Sequence, residues 1–572
     1  MSSYFNLSHL KRFCYGFFTI CGTVPTRRVA MMLGVLASTL TALPAQGAER
    51  IQFFFGPFEP TIYVEDLETF AETGEAPERL APFTNRFNDQ QKQAFRGILN
   101  ARYELSPIPV AQFTYSSLGE NLLGKLGQVI QTDSFLNGMK GIRGSLILAA
   151  DDTENGGLTT LNVLHRFPAK TIQIDFSLAR QIIAENEQIF MRRDSVVEDI
   201  QQLAQAQARE KSELSLNNDP RAAGPYTWQI TTLPFQTPGR PKTSVADLYL
   251  PNQPEPNRPE AAAESTPVVI ISHGVASSRK TFAYMAEHLA SHGYAVVALE
   301  HIETSADKFI RFLWGKEDAP GGKELLLRSQ DITAVLDTLN SQKTEGDSTL
   351  TRLDLTSVGL LGQSLGGYTV LASGGAGIDP EFLAQECQSS LAERPTLNLS
   401  LLTQCTLLDL PEETPLAVAD ERVSAVVALN PLTSSIFGMG GLQKIQIPVM
   451  IMAGTNDYVA PALPEQIEPF NWLTTEHKKL VVMEGGTHFS FLDRQTQSVL
   501  PFSEGLTGPD PITAREPTRA LSLAFFNRHL QNQPEAEQFL NQAYLNEFPT
   551  EPFNFSVVDS LAAAKTIKPI GM

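Results

Sequence analysis

Downstream of residue 265 the chain repeats one pattern: a short unbroken apolar run, a turn, then apolar positions three and four apart. The runs lie in "TPVVIISHG", "YAVVALEH", "TSVGLLGQ", "VSAVVALNP", "PVMIMAGTND" and "KLVVMEGG". Each is too short for a buried helix and lacks the alternation of a strand with one wet face, so each predicts a strand covered on both sides. "TFAYMAEHLASHG" and "RSQDITAVLDTLNSQ" carry helical spacing between them. Strands and helices in alternation predict an α/β architecture, a mostly parallel sheet with helices on both faces. Just upstream, "YTWQITTLPF" and "VADLYLP" alternate as strands of an antiparallel edge.

Between Ala48 and about Gln207 the periodicity is mostly helical, as in "NDQQKQAFRGILNARYEL" and "GENLLGKLGQVIQT", with Pro107 and Pro109 punctuating between them. "SVVEDIQQLAQAQAREKSEL" continues as a polar helix that is expected to bridge two domains. The turn-forming residues of "SLNNDPRAAGP" then mark a linker. The chain is therefore expected to divide into a leader, 1–47; a mainly helical N-terminal domain, 48–214; a linker, 215–225; an α/β domain, 226–535; and a C-terminal extension, 536–572. An insertion at 378–421 interrupts the strand and helix alternation. It is far longer than an ordinary loop and is expected to form a lid or one wall of a pocket.

Composition narrows the function classes. The 572 residues carry a net charge of −19, which excludes nucleic acid as the expected partner, because phosphate neutralisation needs clustered Lys and Arg. The leader is the exception, with Lys11, Arg12, Arg27 and Arg28 and no acidic residue. Its apolar run from Val29 to Leu43 ends at small residues, Ala45 and Gly47, the layout of an export signal, with Arg27 and Arg28 hinting at a twin-arginine route. The alternative is an uncleaved N-terminal membrane anchor, although the run is shorter than the ~20 apolar residues a span needs. Cys14 and Cys21 would leave with the leader; Cys387 and Cys405, both in the insertion, would remain as a disulfide or as two free thiols. No cysteine or histidine spacing suits zinc.

One short stretch carries chemistry. In "VGLLGQSLGG" a buried strand gives way to small residues around Ser364, with Gly362 and Gly366 two positions away on either side. Glycines at those positions suit a tight strand-to-helix turn that lifts a serine hydroxyl out of the sheet. A serine hydroxyl needs a base, and the base an orienting acid, in the chain order serine, acid, histidine. Asp457 follows the strand in "PVMIMAGTND" and His488 follows the next strand, in "LVVMEGGTHFSF". Asn430, Glu484 and Asp493 are the rival acids; an amide cannot hold negative charge, and the two carboxylates read as solvated. Among rival bases His288, His292, His477 and His529 read as packing or surface residues, whereas His301 ends a strand but precedes the serine. In "VVIISHGVASSR" a turn after a buried strand aims the N–H of Val275 at a substrate oxygen, and Leu365 N–H is the second donor of the oxyanion hole. His273 is expected to support that loop rather than to transfer protons.

With these residues in place, "SHGVASSRKTFAYMAEHLASHGYAVVALEH", "RSQDITAVLDTL", "GQSLGG" and "GGTHFSF" resemble the α/β-hydrolase superfamily, and within it esterases similar to platelet-activating-factor acetylhydrolase and dienelactone hydrolase. The resemblance covers about 220 to 535 and implies Ser364 as nucleophile, Asp457 as acid, His488 as base, and Val275 and Leu365 as oxyanion donors. Gln363 departs from it, since many relatives carry histidine there. The N-terminal half looks like the helical domain of uncharacterised function that precedes such hydrolases in cyanobacterial proteins. The expectation is an exported esterase that needs no metal or organic cofactor and acts on a short-chain or lipid-like ester, with peripheral contact with a lipid surface. A lipase or thioesterase is the alternative, and a binding or scaffold protein with an inactive hydrolase domain the alternative of another class. "FGPFEP" and "SIFGMGG" are either pocket lining or ordinary core.

Overall fold

Two larger sheets organise the described residues, beside a two-stranded ladder of Arg102–Tyr103 with Leu158–Thr159. The computed structural model describes residues 47–54, 59–209, 218–252, 265–388, 398–493, 507–547 and 549–562. The leader up to residue 46, with Cys14 and Cys21, lies outside the described residues, as do most of "FGPFEP" and the start of the linker.

The N-terminal region is helical but not wholly so. Its strands β1 (Arg50–Phe54), β2 (Thr61–Tyr63), β3 (Ile130–Gln131) and β4 (Thr171–Asp175) form a four-stranded sheet in the order β2-β1-β4-β3, which the helical periodicity around it had hidden. Helices α1 (Val64–Thr73), α2 (Asp89–Asn100), α3 (Pro107–Tyr115), α4 (Ser117–Val129) and α5 (Met139–Asp151) surround it. Helix α2 starts where its sequence says it should: Asn88 accepts from Gln91 N–H and the Gln91 side chain accepts from Asn88 N–H, a reciprocal cap.

Strand β4 runs directly into α6 (Phe176–Arg209), which begins well before the polar segment read as a bridge. That segment is not solvated all round. Val196, Val197, Ile200 and Ala204 are buried in the same core as the parallel strands, so the core of the α/β unit includes residues placed by sequence in the N-terminal domain.

The second sheet has nine strands: β5 (Trp228–Phe235), β6 (Ser244–Pro251), β7 (Thr266–Ser272), β8 (Ala295–Leu299), β9 (Leu353–Gln363), β10 (Val423–Leu429), β11 (Val449–Gly454), β12 (Lys478–Glu484) and β13 (Asn554–Val558). Their order is β13-β12-β11-β10-β9-β7-β8-β6-β5. The six from β7 to β12 are mutually parallel, with antiparallel strands at both edges. β7 shows why its run is apolar throughout: Val268 and Ile270 point into one core and Val269 and Ile271 into the other. Burying such a side chain fully stabilises by about 1.5–3 kcal/mol before conformational entropy is counted. The second core is closed by α7 (Ala283–Ser291) and, further along, Ala514–Phe526.

Residues 536–558 correct the domain reading. They do not trail away from the catalytic unit, because β13 pairs with β12 and buries Phe555 and Val557 in its core.

Helix α8 (Ala306–Leu313) packs on α3, and α9 (Glu324–Thr344) lies with α10 (Leu365–Ser373) against the sheet. The insertion supplies α11 (Pro380–Gln388) and α12 (Ser400–Gln404), joined by a Cys387–Cys405 disulfide with Cα atoms 5.9 Å apart. Buried Glu465 holds it in place, accepting from Asn398 Nδ2, Gln404 Nε2 and the Thr433 and Ser434 N–H groups. Of "SIFGMGG", within α13 (Ser434–Leu442), Ile436 and Phe437 are core, Phe437 stacking on Tyr368 with centroids 5.2 Å apart.

Candidate active site

The sheet order reverses between β7 and β9, the kind of switch point outside whose carboxyl ends α/β sheets bind ligands. Ser364 follows β9 and the "SHGV" turn follows β7, so both lie at that end of the sheet. Ser364 adopts φ 57° and ψ −122°, a conformation that strains a residue with a side chain and holds the hydroxyl above the sheet. The glycines around it are required by contact. A Cβ on Gly362 would stand 2.2 Å from Gly366 O, and one on Gly366 would stand 2.0 Å from Ser272 O.

Asp457 and His488 come from the turns after β11 and β12. The Ser364 hydroxyl lies 2.8 Å from His488 Nε2, and His488 Nδ1 lies 2.6 Å from Asp457 Oδ2. Asp457 accepts only, so Nδ1–H donates to it and Nε2 is left to accept from the serine. The other carboxylate oxygen of Asp457 accepts the Val459 and Ala460 N–H groups, both at 2.8 Å, which fixes the acid in its turn. All three groups are buried, Ser364 at 8%, His488 at 6% and Asp457 at 2% exposure. Such an arrangement transfers a proton from a hydroxyl to an imidazole whose positive charge faces a carboxylate.

Leu365 N–H opens α10, where the first N–H groups have no intrahelical acceptor and the helix dipole favours negative charge. Gly274 lies beside the serine: a Cβ there would be 3.2 Å from Ser364 Cβ. Val275 follows it at the solvent edge, and Ala276, at φ 54°, donates to Thr304 O at 2.9 Å, locking the turn.

The rival acids are engaged elsewhere. Asn430 Nδ2 donates to Thr487 O and its Oδ1 accepts from Gly454 N–H, tying the acid's strand to the loop of His488. Glu484 accepts from Gln201, and Asp493 pairs with Arg515. His288 and His292 bond the Pro220 and Ala222 carbonyls, and His477 packs on His529.

His301 is more instructive. Its Nε2 lies 2.8 Å from Ser272 Oγ and its Nδ1 2.7 Å from Asp331 Oδ2, a second serine, histidine and aspartate series in which no member is exposed. Sealed from solvent, it is a brace. Burial pushes His301 down to about 3, which keeps it neutral. Arg240 bonds Asp331, and wholly buried Arg328 reaches Ser272, Thr304 and His273 O, so this network holds the turn at His273 and Gly274. His273 donates from Nδ1 to Gly274 O and accepts His301 N–H, a supporting place rather than a proton-transferring one.

The sequence marked Gln363 only as a departure from the resemblance, and gave Arg328 and Asp331 no role. Gln363 Nε2–H donates to His488 O at 3.0 Å, and its Oε1 lies close to Gly274, so one side chain spans the His488 loop and the Gly274 turn. The signal available was a polar residue within an apolar strand end. Among the described residues no group of three or more His, Cys, Asp or Glu is placed to hold a metal ion.

A family model described as platelet-activating factor acetylhydrolase, isoform II, matches residues 242–320, which include the turn from His273 to Ala276. Another, described as an alpha/beta hydrolase of unknown function, matches residues 47–175, ahead of the nine-stranded sheet. The chain has the fold of an α/β hydrolase. Among curated proteins, the platelet-activating factor acetylhydrolase of Cavia porcellus is 23% identical over 312 residues, 48% of this chain and 60% of the relative. The chain thus spans about three-fifths of the length of the curated relative it matches. No helix among the described residues is long and apolar enough to cross a membrane.

Proposed function

We propose that the protein is a serine esterase in which Ser364, His488 and Asp457 act as nucleophile, base and orienting acid. The observation that carries this reading is the continuous hydrogen-bonded series from Ser364 Oγ through His488 to Asp457. Ser364 Oγ attacks the ester carbonyl while His488 Nε2 takes its proton, and the carbonyl oxygen becomes an oxyanion facing the Val275 and Leu365 N–H groups. Collapse of that intermediate breaks the bond to the leaving alcohol, which receives the proton from His488 and departs, leaving an acyl group on Ser364. Water, deprotonated by His488, attacks the acyl-enzyme and releases the acid and free Ser364. Asp457 keeps Nδ1–H in place and stabilises the imidazolium in both halves. Loss of one oxyanion donor typically costs about 3 kcal/mol in the barrier.

The relative's name is that of an acetylhydrolase acting on platelet-activating factor, which favours a short acyl group on a lipid-like alcohol as the substrate here. The Cys387–Cys405 bridge supports export to an oxidising compartment. The substrate reading is tested by comparing hydrolysis of p-nitrophenyl acetate, a long-chain p-nitrophenyl ester and a thioester. Fast cleavage of the acetate is expected; preference for the long ester or the thioester would replace this reading with a lipase or a thioesterase.

A further inference from the structure

Asp457 is held by a loop that is itself held from outside. Thr455 and Asn456, just before it, are laced to the base loop: Asn456 N–H donates to Gly486 O at 2.7 Å and Gly485 N–H to Thr455 Oγ1 at 3.0 Å. The acid and base turns are therefore joined at two points on this side. Thr455 O points away from that lacing and accepts from Arg193 Nη1 of α6 at 2.9 Å. Phe190, one turn earlier on the helix, sets its ring edge to face against Tyr458, the residue after Asp457, with centroids 6.0 Å apart. The Arg193 guanidinium lies 5.0 Å from the centre of the Phe190 ring, and its side chain is only 15% exposed.

The helix making these contacts is anchored at both ends. It continues without a break from β4 of the N-terminal sheet, and its second half is fixed in the main core by Val196, Val197 and Ile200. Between these anchors, Arg192 pairs with Glu468 at 2.9 Å. A cavity of about 600 Å³ opens beside the Arg193 contact, lined among others by Asp194, Glu198, Asn456 and Glu484, and leaves room on that side for the loop to shift if the arginine were removed.

We propose that Arg193 is a positioning residue for the Asp457 and His488 pair, and that α6 thereby makes the N-terminal unit part of the esterase site rather than a neighbour of it. The inference rests on the assignment of Ser364, His488 and Asp457 above. A guanidinium donating to a loop carbonyl fixes where the carboxylate faces the imidazole; without it the acid turn relaxes into the adjoining cavity. The imidazolium then loses part of its stabilisation.

The test compares full-length wild type with Arg193→Met, which keeps the stem and removes the donors, Arg193→Lys, which restores one cationic donor, and Ser364→Ala. For Arg193→Met we expect kcat on p-nitrophenyl acetate to fall about ten-fold with KM unchanged, as for loss of one charged hydrogen bond. The acid limb of its kcat/KM profile should shift to lower pH, and Arg193→Lys should recover much of the rate. Wild-type kinetics in Arg193→Met beside an inactive Ser364→Ala overturns the positioning role alone. A rate loss that follows a lowered melting temperature, with the acid limb unmoved and no rescue by lysine, also overturns it. Full activity in Ser364→Ala overturns the triad assignment, and this inference with it.

Discussion

Ser364, His488 and Asp457 are separated widely in sequence, yet they lie in one hydrogen-bonded series, and the sequence singled them out as candidates because each ends an apolar strand in the order the proposed chemistry uses. It did not single out what surrounds them. Gln363 stands next to the nucleophile but acts on His488 O, 125 residues away, and nothing in a local pattern announces such a bond. It was read only as a departure from histidine. Replacing it removes a buried donor and leaves an acceptor carbonyl unsatisfied, a change worth roughly 1–3 kcal/mol. Gln363→Ala is therefore expected to lower kcat/KM by ten-fold or more while the serine still labels slowly, and unchanged kinetics would remove Gln363 from the site. Arg328 and Asp331 were hidden for a related reason: in "RSQDITAVLDTL" they look like the wet side of an amphipathic helix, whereas both are wholly buried.

At the level of elements, the strands were easier to read than the helices. An apolar run bounded by turns has one good interpretation in a two-layered sheet, and the six parallel strands lie where the runs are. The polar helix at Ser195 misled because its buried residues, Val196, Val197, Ile200 and Ala204, are a narrow stripe among Gln and Glu. Strand β13 was overlooked for a physical reason as well. It is an edge strand reached after a turn-rich stretch, with little periodicity of its own. The cysteines, left open between bridge and free thiols, are joined across the insertion. Closing a loop of this size stabilises by about 2–4 kcal/mol through the restricted unfolded chain. The double variant Cys387→Ser with Cys405→Ser should lose stability on that order, read as a lower urea midpoint, and an unchanged midpoint would show that the bridge contributes nothing measurable.

For the whole molecule, charge and burial set its response to acid. Burial lowers His301 and His288 to about 3 and His529 to about 4, all from an ordinary value of 6.5. Between those values and 6.5 the unfolded chain binds protons that the folded chain does not. Stability is thus fully present above pH 6.5 and declines as pH falls toward 3. A urea midpoint that stays level between pH 6.5 and 4 would contradict this. The two units also pack together, with α3 on α8, α4 on α12 and α6 in the core of the sheet, so the N-terminal region lies against the insertion and the α/β unit. Its contacts lie on elements that sequence periodicity can identify but cannot dock.

The measurement that bears most directly on the account is labelling by a fluorophosphonate probe, with hydrolysis of p-nitrophenyl acetate followed beside it, for the wild type and Ser364→Ala. The account predicts one adduct, on Ser364, and a fall in kcat on the order of 10⁵-fold or more in a variant that remains folded. Folded wild type that takes up no probe, or a variant that hydrolyses the ester as fast as the wild type, would reduce Ser364 to a residue in a tight turn and favour a binding or scaffold protein.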